Sequence, residues 1–282
     1  MFENILEQLN GDYVQSGFSL KSFITTAKER SNEHIVIKNS IKEINQSNFN
    51  VENFNRNDLV EAYRNAELSS STIFLLTFWW GHMSHRTQAP RFYTQENLNK
   101  LNEIAPYLNR DLKVLYNAGM LEAYKDQLSN IYKKLKVSEY KLAGINTAFF
   151  TKILQFSYEA YGKKPDRYPF PIIADKWTKK AIYADLINLN EHQLKEKIFR
   201  KGLSNALEPI FKGSPNSEFD KYWLFINYFF DRTNQLRKND KTLVTPFELE
   251  GIIFGWARDM SNPENPRVIA HKIIAQYFRK NY

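Results

Sequence analysis

The chain has no cysteine among its 282 residues. That excludes disulfides, thiolate catalysis and cysteine-based zinc sites, and it fits a reducing cytoplasm. No basic leader precedes an apolar stretch at the start, where Met1-Phe-Glu-Asn is acidic and polar. The longest apolar run, Ile73–Trp80, is far too short to span a bilayer. The expectation is a soluble, cytoplasmic protein that meets no membrane. There is no fixed-period repeat, low-complexity tract, P-loop, Rossmann glycine pattern or serine nucleophile elbow. His82 and His85 have a spacing that can serve a metal, but no carboxylate or third histidine follows within the run. They are expected to be polar helix or turn residues, with no metal and no cofactor.

Apolar residues make up 43% of the chain and aromatic residues 15%, enough for a substantial core. The length suits one large domain or two small lobes. Formal net charge is +8 and the pI about 9.3. A basic balance favours nucleic acid or another anionic surface as partner, although many basic proteins bind neither.

Residues 1–70 are polar and asparagine-rich, with a basic helix-like stretch near Leu20–Lys42. Asn57-Asp58 before Leu59 suits a helix start, because a short polar side chain caps the first N–H groups. Ile73–Trp80 is buried helix or strand; periodicity does not decide at that length. Residues 71–282 read as mainly helical. Helices are expected from Thr94, at Asn109–Gly119, Leu121–Leu135, a short one at Ser138–Leu142, then Thr147–Tyr161. Asp175–Leu189, Glu191–Phe199, Phe219–Lys238, Pro246–Asp259 and Pro266–Tyr282 follow.

The segment Leu142-Ala-Gly-Ile-Asn-Thr-Ala148 reads as a tight glycine turn between two helices. Gly144 tolerates positive φ at little cost. The N–H groups near Asn146–Ala148 then carry the positive end of a helix dipole and can hold a DNA phosphate without reading sequence. An ordinary helix-turn-helix packing element is the alternative. After a loop, the apolar run Pro171–Ala174 leads into Asp175.

This hairpin resembles that of the helix-hairpin-helix DNA glycosylase superfamily, and Pro171-Ile-Ile-Ala-Asp175 is similar to the superfamily's apolar lead into an invariant aspartate. Phe149-Phe-Thr-Lys152-Ile-Leu-Gln-Phe156 is similar to a motif of bacterial proteins with an 8-oxoguanine DNA glycosylase fold. The motifs cover about 138–185, with the hairpin at 138–156. The resemblance implies a mainly α, two-lobed glycosylase fold over 71–282, with residues 1–70 as a polar N-terminal extension packing on the core. The chain departs from the usual hairpin at Ala143, in place of proline, and at Asn146, in place of a second glycine. Ala148 stands where bifunctional members keep a Schiff-base lysine. Asn146 is expected to keep the turn by accepting left-handed φ.

The implied partner is double-stranded DNA carrying a modified base, bound by a monomer without a protein partner. The hairpin residues Gly144, Ile145, Asn146, Thr147 and Ala148 would grip the phosphate. Asp175 would stabilise the oxocarbenium-like transition state or orient the attacking group; as Asp it also suits a helix N-cap. Lys152 lies one turn beyond Ala148 on the same face and would be a nucleophile, a pocket wall or a phosphate contact. Phe149, Phe247, Glu250 and Trp256 are candidates for the base pocket. Trp79, Trp80, Trp177 and Trp223 suit either a stacking wall or core. Arg86, Arg91, Lys163, Lys164 and Arg167 suit phosphate contacts or a solvated face. The implied activity is excision of an oxidised, 8-oxoguanine-like base, with AP-lyase activity dependent on Lys152. Two alternatives stay open: an anti-phage glycosylase acting on modified phage bases, which the polar N-terminal segment favours, and a non-catalytic DNA-binding protein of the same fold.

Overall fold

The computed structural model describes Phe2 and residues 19–47, 49–81, 89–162, 168–203, 208–212, 217–240, 245–255, 263 and 265–281. The chain divides into two compact units, Ser16–Tyr168 and Pro169–Tyr282, the second also taking the start of the chain. Thirteen helices and one two-stranded sheet lie among the described residues.

The first unit holds eight helices. They are α1 (Lys21–Arg30), α2 (Ile35–Gln46), α3 (Arg56–Arg64), α4 (Ser70–Trp80), α5 (Ala89–Phe92), α6 (Gln95–Leu115), α7 (Leu121–Val137) and α8 (Thr147–Tyr161). The ambiguous apolar run is helix α4, and all of Ser71–Trp80 is buried. A helix apolar on every side must be surrounded, and α2, α3, α6 and α8 all pack against it. Its few polar groups find partners inside. Thr77 Oγ1 donates to Ile73 O at 3.0 Å, Thr72 Oγ1 to Ser40 Oγ at 2.9 Å, and Trp79 Nε1 to the Tyr93 hydroxyl at 2.9 Å. Each buried aromatic there contributes about 1.5–3 kcal/mol relative to exposure. Trp79 and Trp80 are therefore core, the latter edge-on to Phe156 at 5.0 Å.

Several helix boundaries differ from the sequence expectation, each for a local reason. The basic stretch near Leu20–Lys42 is two helices, because Asn32 and Glu33 adopt φ of 48° and 54°. The cap of α3 is Asn55, two residues before the expected Asn57-Asp58. Its side chain accepts from Asn57 N and Asp58 N, while Asp58 Oδ2 accepts Asn55 N at 2.8 Å, a reciprocal capping box. Thr94 caps α6 as expected. That helix then runs through Pro106 and Asn109 to Leu115, so no new helix begins at Asn109. Asn109 is instead a buried tie, donating to Ser70 Oγ at 3.1 Å and accepting from the Tyr161 hydroxyl at 2.7 Å. Ser138–Leu142 is not helical; α7, ending at Val137, is the first helix of the hairpin.

The second unit holds α9 (Lys176–Asn188), α10 (His192–Ile198), β1 (Phe199–Leu203), β2 (Pro209–Phe211), α11 (Glu218–Asp240), α12 (Pro246–Gly255) and α13 (Pro266–Asn281). The strands pair antiparallel, Phe199 opposite Phe211 and Leu203 opposite Pro209. This small sheet was not expected: the strands are short, charged or proline-led, and give no clear alternation. Helix α9 is central, packing on α10, α12, α13 and β2.

A buried carboxylate ties the second unit together. Asp185 on α9 is fully buried. It accepts Phe2 N at 3.3 Å, the Tyr228 hydroxyl at 2.8 Å and Arg232 Nε at 3.0 Å. Burial first, then the Asp185 charge, pushes the Tyr228 hydroxyl well above the usual tyrosine range, so it stays a donor. Removing one partner of a buried pair strands the other's charge at a cost of about 3–5 kcal/mol. Asp185→Ala should therefore destabilise the protein by about that amount in urea denaturation, whereas loss of an exposed pair such as Arg64–Glu61 should cost under about 1 kcal/mol.

Candidate active site

Gly144 has φ of 80°, so the turn needs the residue that lacks a Cβ. Ile145 N closes the turn onto Leu142 O at 3.3 Å. Asn146 is not left-handed. With φ of −103° and ψ of −179° it is the N-cap of α8, and its Oδ1 accepts Ala148 N at 3.0 Å. The second-glycine position thus tolerates asparagine because the side chain caps, not because it tolerates an unusual φ. The cap occupies the Ala148 N–H. Among the described residues, the N–H groups of Gly144 and Asn146 remain without an acceptor. Gly144 is half-buried and Asn146 exposed.

Two residues missed in the sequence fix this turn. Asn97 on α6 is buried, accepts Ala143 N at 2.8 Å and donates to Ala143 O at 3.2 Å. It also donates to Phe92 O at 3.0 Å, tying the turn to α5. Lys136 Nζ donates to Thr147 Oγ1 at 3.0 Å, which puts a positive charge beside the first residue of α8. The signal for Asn97 is faint: an asparagine at the third position of a capped helix, 46 residues from its partner.

Lys152 is 4% exposed on α8. Its Nζ donates to Ala148 O at 2.8 Å and lies 5.2 Å from the centre of the Phe149 ring. Phe149 is itself buried. Gly81, after α4, closes the other side: a Cβ there would lie 2.8 Å from Phe149 Cε1 and 3.1 Å from Lys152 Cε. Glycine is needed for space, since its φ of −75° is ordinary.

Asp175 lies in the second unit, at the N-terminus of α9, and is 9% exposed. One oxygen, Oδ1, accepts Trp177 N at 2.8 Å, Thr178 N at 2.9 Å and Thr178 Oγ1 at 3.1 Å. The other oxygen, Oδ2, has no hydrogen bond among the described residues and is not sealed from solvent. The cap and the reactive carboxylate weighed against each other in the sequence are thus compatible: one oxygen fixes the residue and one is left over. The apolar lead-in explains the rigidity, since Ile172, Ile173 and Ala174 are buried and Ile172 O accepts the Tyr222 hydroxyl at 3.0 Å.

Phe247 and Glu250 lie on α12 of the second unit and both are buried. The Phe247 ring meets Phe170 edge-on at 5.9 Å. Phe149 and Lys152 belong to the first unit. Trp223 is half-buried and stacks on Phe219 at 6.3 Å. Trp256, His82, His85, Arg86, Lys163, Lys164 and Arg167 lie outside the described residues. Arg91 is exposed, on α5. No group of three or more potential metal ligands occurs among the described residues. No helix there is long and apolar enough to cross a membrane.

A glycine turn between helices, followed by an aspartate-capped helix in a mainly helical chain, defines the helix-hairpin-helix DNA glycosylase fold. The model of the family described as "Putative 8-oxoguanine DNA glycosylase OGG-like protein" matches residues 21–238, and the chain belongs to that family. No curated protein and no solved structure matches the chain. The match starts inside the segment 1–70 and so takes in α1, α2 and α3.

Substitutions at two positions test this packing. Gly81→Ala should lower stability by about 1–3 kcal/mol through overpacking against Phe149 and Lys152; an unchanged melting temperature would show that the neighbours yield freely. Asp175→Ala should cost about 1 kcal/mol through loss of the cap, while Asp175→Asn keeps an oxygen acceptor and should melt close to wild type.

Proposed function

We propose that the protein is a DNA glycosylase that excises an oxidised or otherwise modified, 8-oxoguanine-like base flipped out of duplex DNA. The observation that carries this reading is Asp175, with one oxygen held by three donors and the other unengaged, in a chain of the glycosylase-like family. A flipped base is required because the glycosidic bond is out of reach in the stack. Flipping costs a few kcal/mol and is easiest for damaged or mispaired bases, which supplies part of the selectivity.

The chemistry follows from the carboxylate. As the bond between C1′ and the base breaks, its electron pair leaves with the base and C1′ becomes cationic. A carboxylate oxygen held by the start of α9 offsets that charge without reorganising, which is where preorganised electrostatics contribute most. Water then adds at C1′ and gives up a proton, with Oδ2 as the group that orients it. The base takes up a proton and departs, leaving an abasic site. The hairpin supports DNA binding through the N–H groups of Gly144 and Asn146 and the adjacent Lys136 charge.

Strand cleavage is a different matter. A lysine attacks C1′ only as a free amine, yet Lys152 is nearly fully buried and bonded to a carbonyl of its own helix. With Ala148 at the other lysine position, the arrangement favours hydrolysis over imine formation. The same observations favour one second reading, DNA binding without chemistry.

Duplexes carrying 8-oxoguanine, other oxidised bases and modified phage-type bases should separate these outcomes. The wild type should release at least one of these bases, leaving an abasic product that breaks only with alkali. Asp175→Asn should be slower by about 10²-fold or more. Borohydride should trap no covalent adduct. A trapped adduct that disappears in Lys152→Gln would make this a lyase, and tight duplex binding without any release would make it a binding protein.

A further inference from the structure

Beside Asp175, α9 and α13 carry a concentration of charge that the excision chemistry does not use. Trp177 is half-buried, and three cations lie over its ring. Lys176 Nζ is 4.7 Å from the ring centre, Lys180 Nζ 5.3 Å and the Arg267 guanidinium carbon 4.6 Å. No two of them are therefore farther apart than twice the largest of these distances. At a separation of about 8 Å and an effective dielectric of about 20, like charges repel by about 2 kcal/mol per pair. An indole returns about 0.5–2 kcal/mol per cation.

Glu208 pairs with Lys179 at 3.0 Å. Burial, and then the charge of Lys176, hold the Lys180 ammonium below its ordinary range despite the pull of Glu208. His271, on α13, is also held low, by burial and then by the charge of Lys180. Behind burial, the second cause in each case is a neighbouring cation, which fits the clustering of charge around Trp177. Lys176 and His271 are exposed, so the cluster faces solvent.

We propose that Lys176, Lys180 and Arg267, gathered around Trp177, form a phosphate-binding site that holds a DNA backbone phosphate on the second unit, separate from the hairpin. The ligand chemistry is that of a phosphate dianion or diester oxygen, which a guanidinium can meet with two N–H groups while ammonium groups act as point charges. Arg267 and His271 lie beyond residues 21–238, outside the span of the family match. The site rests on the DNA reading above, but not on the excision step.

The test is the salt dependence of binding to a duplex with an abasic-site analogue, for wild type, Lys176→Gln, Arg267→Gln and the double variant. Lys176 is exposed and Arg267 half-buried, and thermal melting checks that each variant folds. Loss of this one phosphate contact should flatten the slope of log K against log salt by about 0.9, in full in the double variant and in part in each single variant. At low salt the double variant should bind at least tenfold more weakly. A double variant with the wild-type slope overturns the site, even if the wild type excises bases normally. Flattened slopes in a protein that releases no base would uphold the site while removing the glycosylase reading. Inhibition by millimolar inorganic phosphate with unchanged DNA slopes would assign the cluster to a free phosphate and overturn the DNA assignment.

Discussion

Helix α9 is pinned by a carboxylate at each end, and the second unit depends on that pair. Asp175 at its start takes three donors on one oxygen. Asp185, ten residues and therefore about 15 Å along the axis, gathers Phe2, Tyr228 and Arg232. The two acids do opposite things. Asp185 is sealed, and its charge is spent on holding α11 and the start of the chain. Asp175 is sealed on one side only. Because the far end of the helix is locked into the core, the leftover oxygen at the near end has a defined position, and that is what preorganised charge stabilisation requires.

The first unit works by burial instead of charge. Helix α4 is apolar all round and has four other helices on it, so the unit is organised around a rod that cannot face water. The glycine ending that rod lets Phe149 and Lys152 approach its backbone. The same packing that makes Gly81 necessary leaves Lys152 nearly inaccessible. A lysine that looks like a nucleophile in the sequence is thus a side chain whose amine is bonded to the preceding turn of its own helix. The hairpin reaches a similar compromise: Asn146 caps α8 and so occupies one of the N–H groups that a phosphate would otherwise meet.

Charge on the second unit is concentrated where α9 begins. Lys176, Lys180 and Arg267 share one indole, while a net charge of +8 says only that the chain is basic. Where the charges collect decides what the surface can hold. Arg267 joins the two lysines only because α13 lies along α9, and nothing at Pro266–Arg267 announces that pairing.

Elements whose signals are local can be read from the chain without its fold. Gly144 needs positive φ whatever surrounds it, Thr94 and Asp175 cap N–H groups two or three residues further on, and an eight-residue apolar run must be buried. Helix boundaries failed where a longer-range partner outweighed the local pattern: Asn109 is a tie to Ser70 and Tyr161, not a helix start, and Ser138–Leu142 turns back on Lys134 instead of coiling. The candidate site was legible in part for the same reason. Asp175 and the glycine turn stand in short motifs, but the Asn97 brace, the burial of Lys152 under Gly81 and the cation cluster at Trp177 join residues far apart in the chain. Those are consequences of packing, and a linear pattern carries no record of which distant side chains packing brings within a few ångströms.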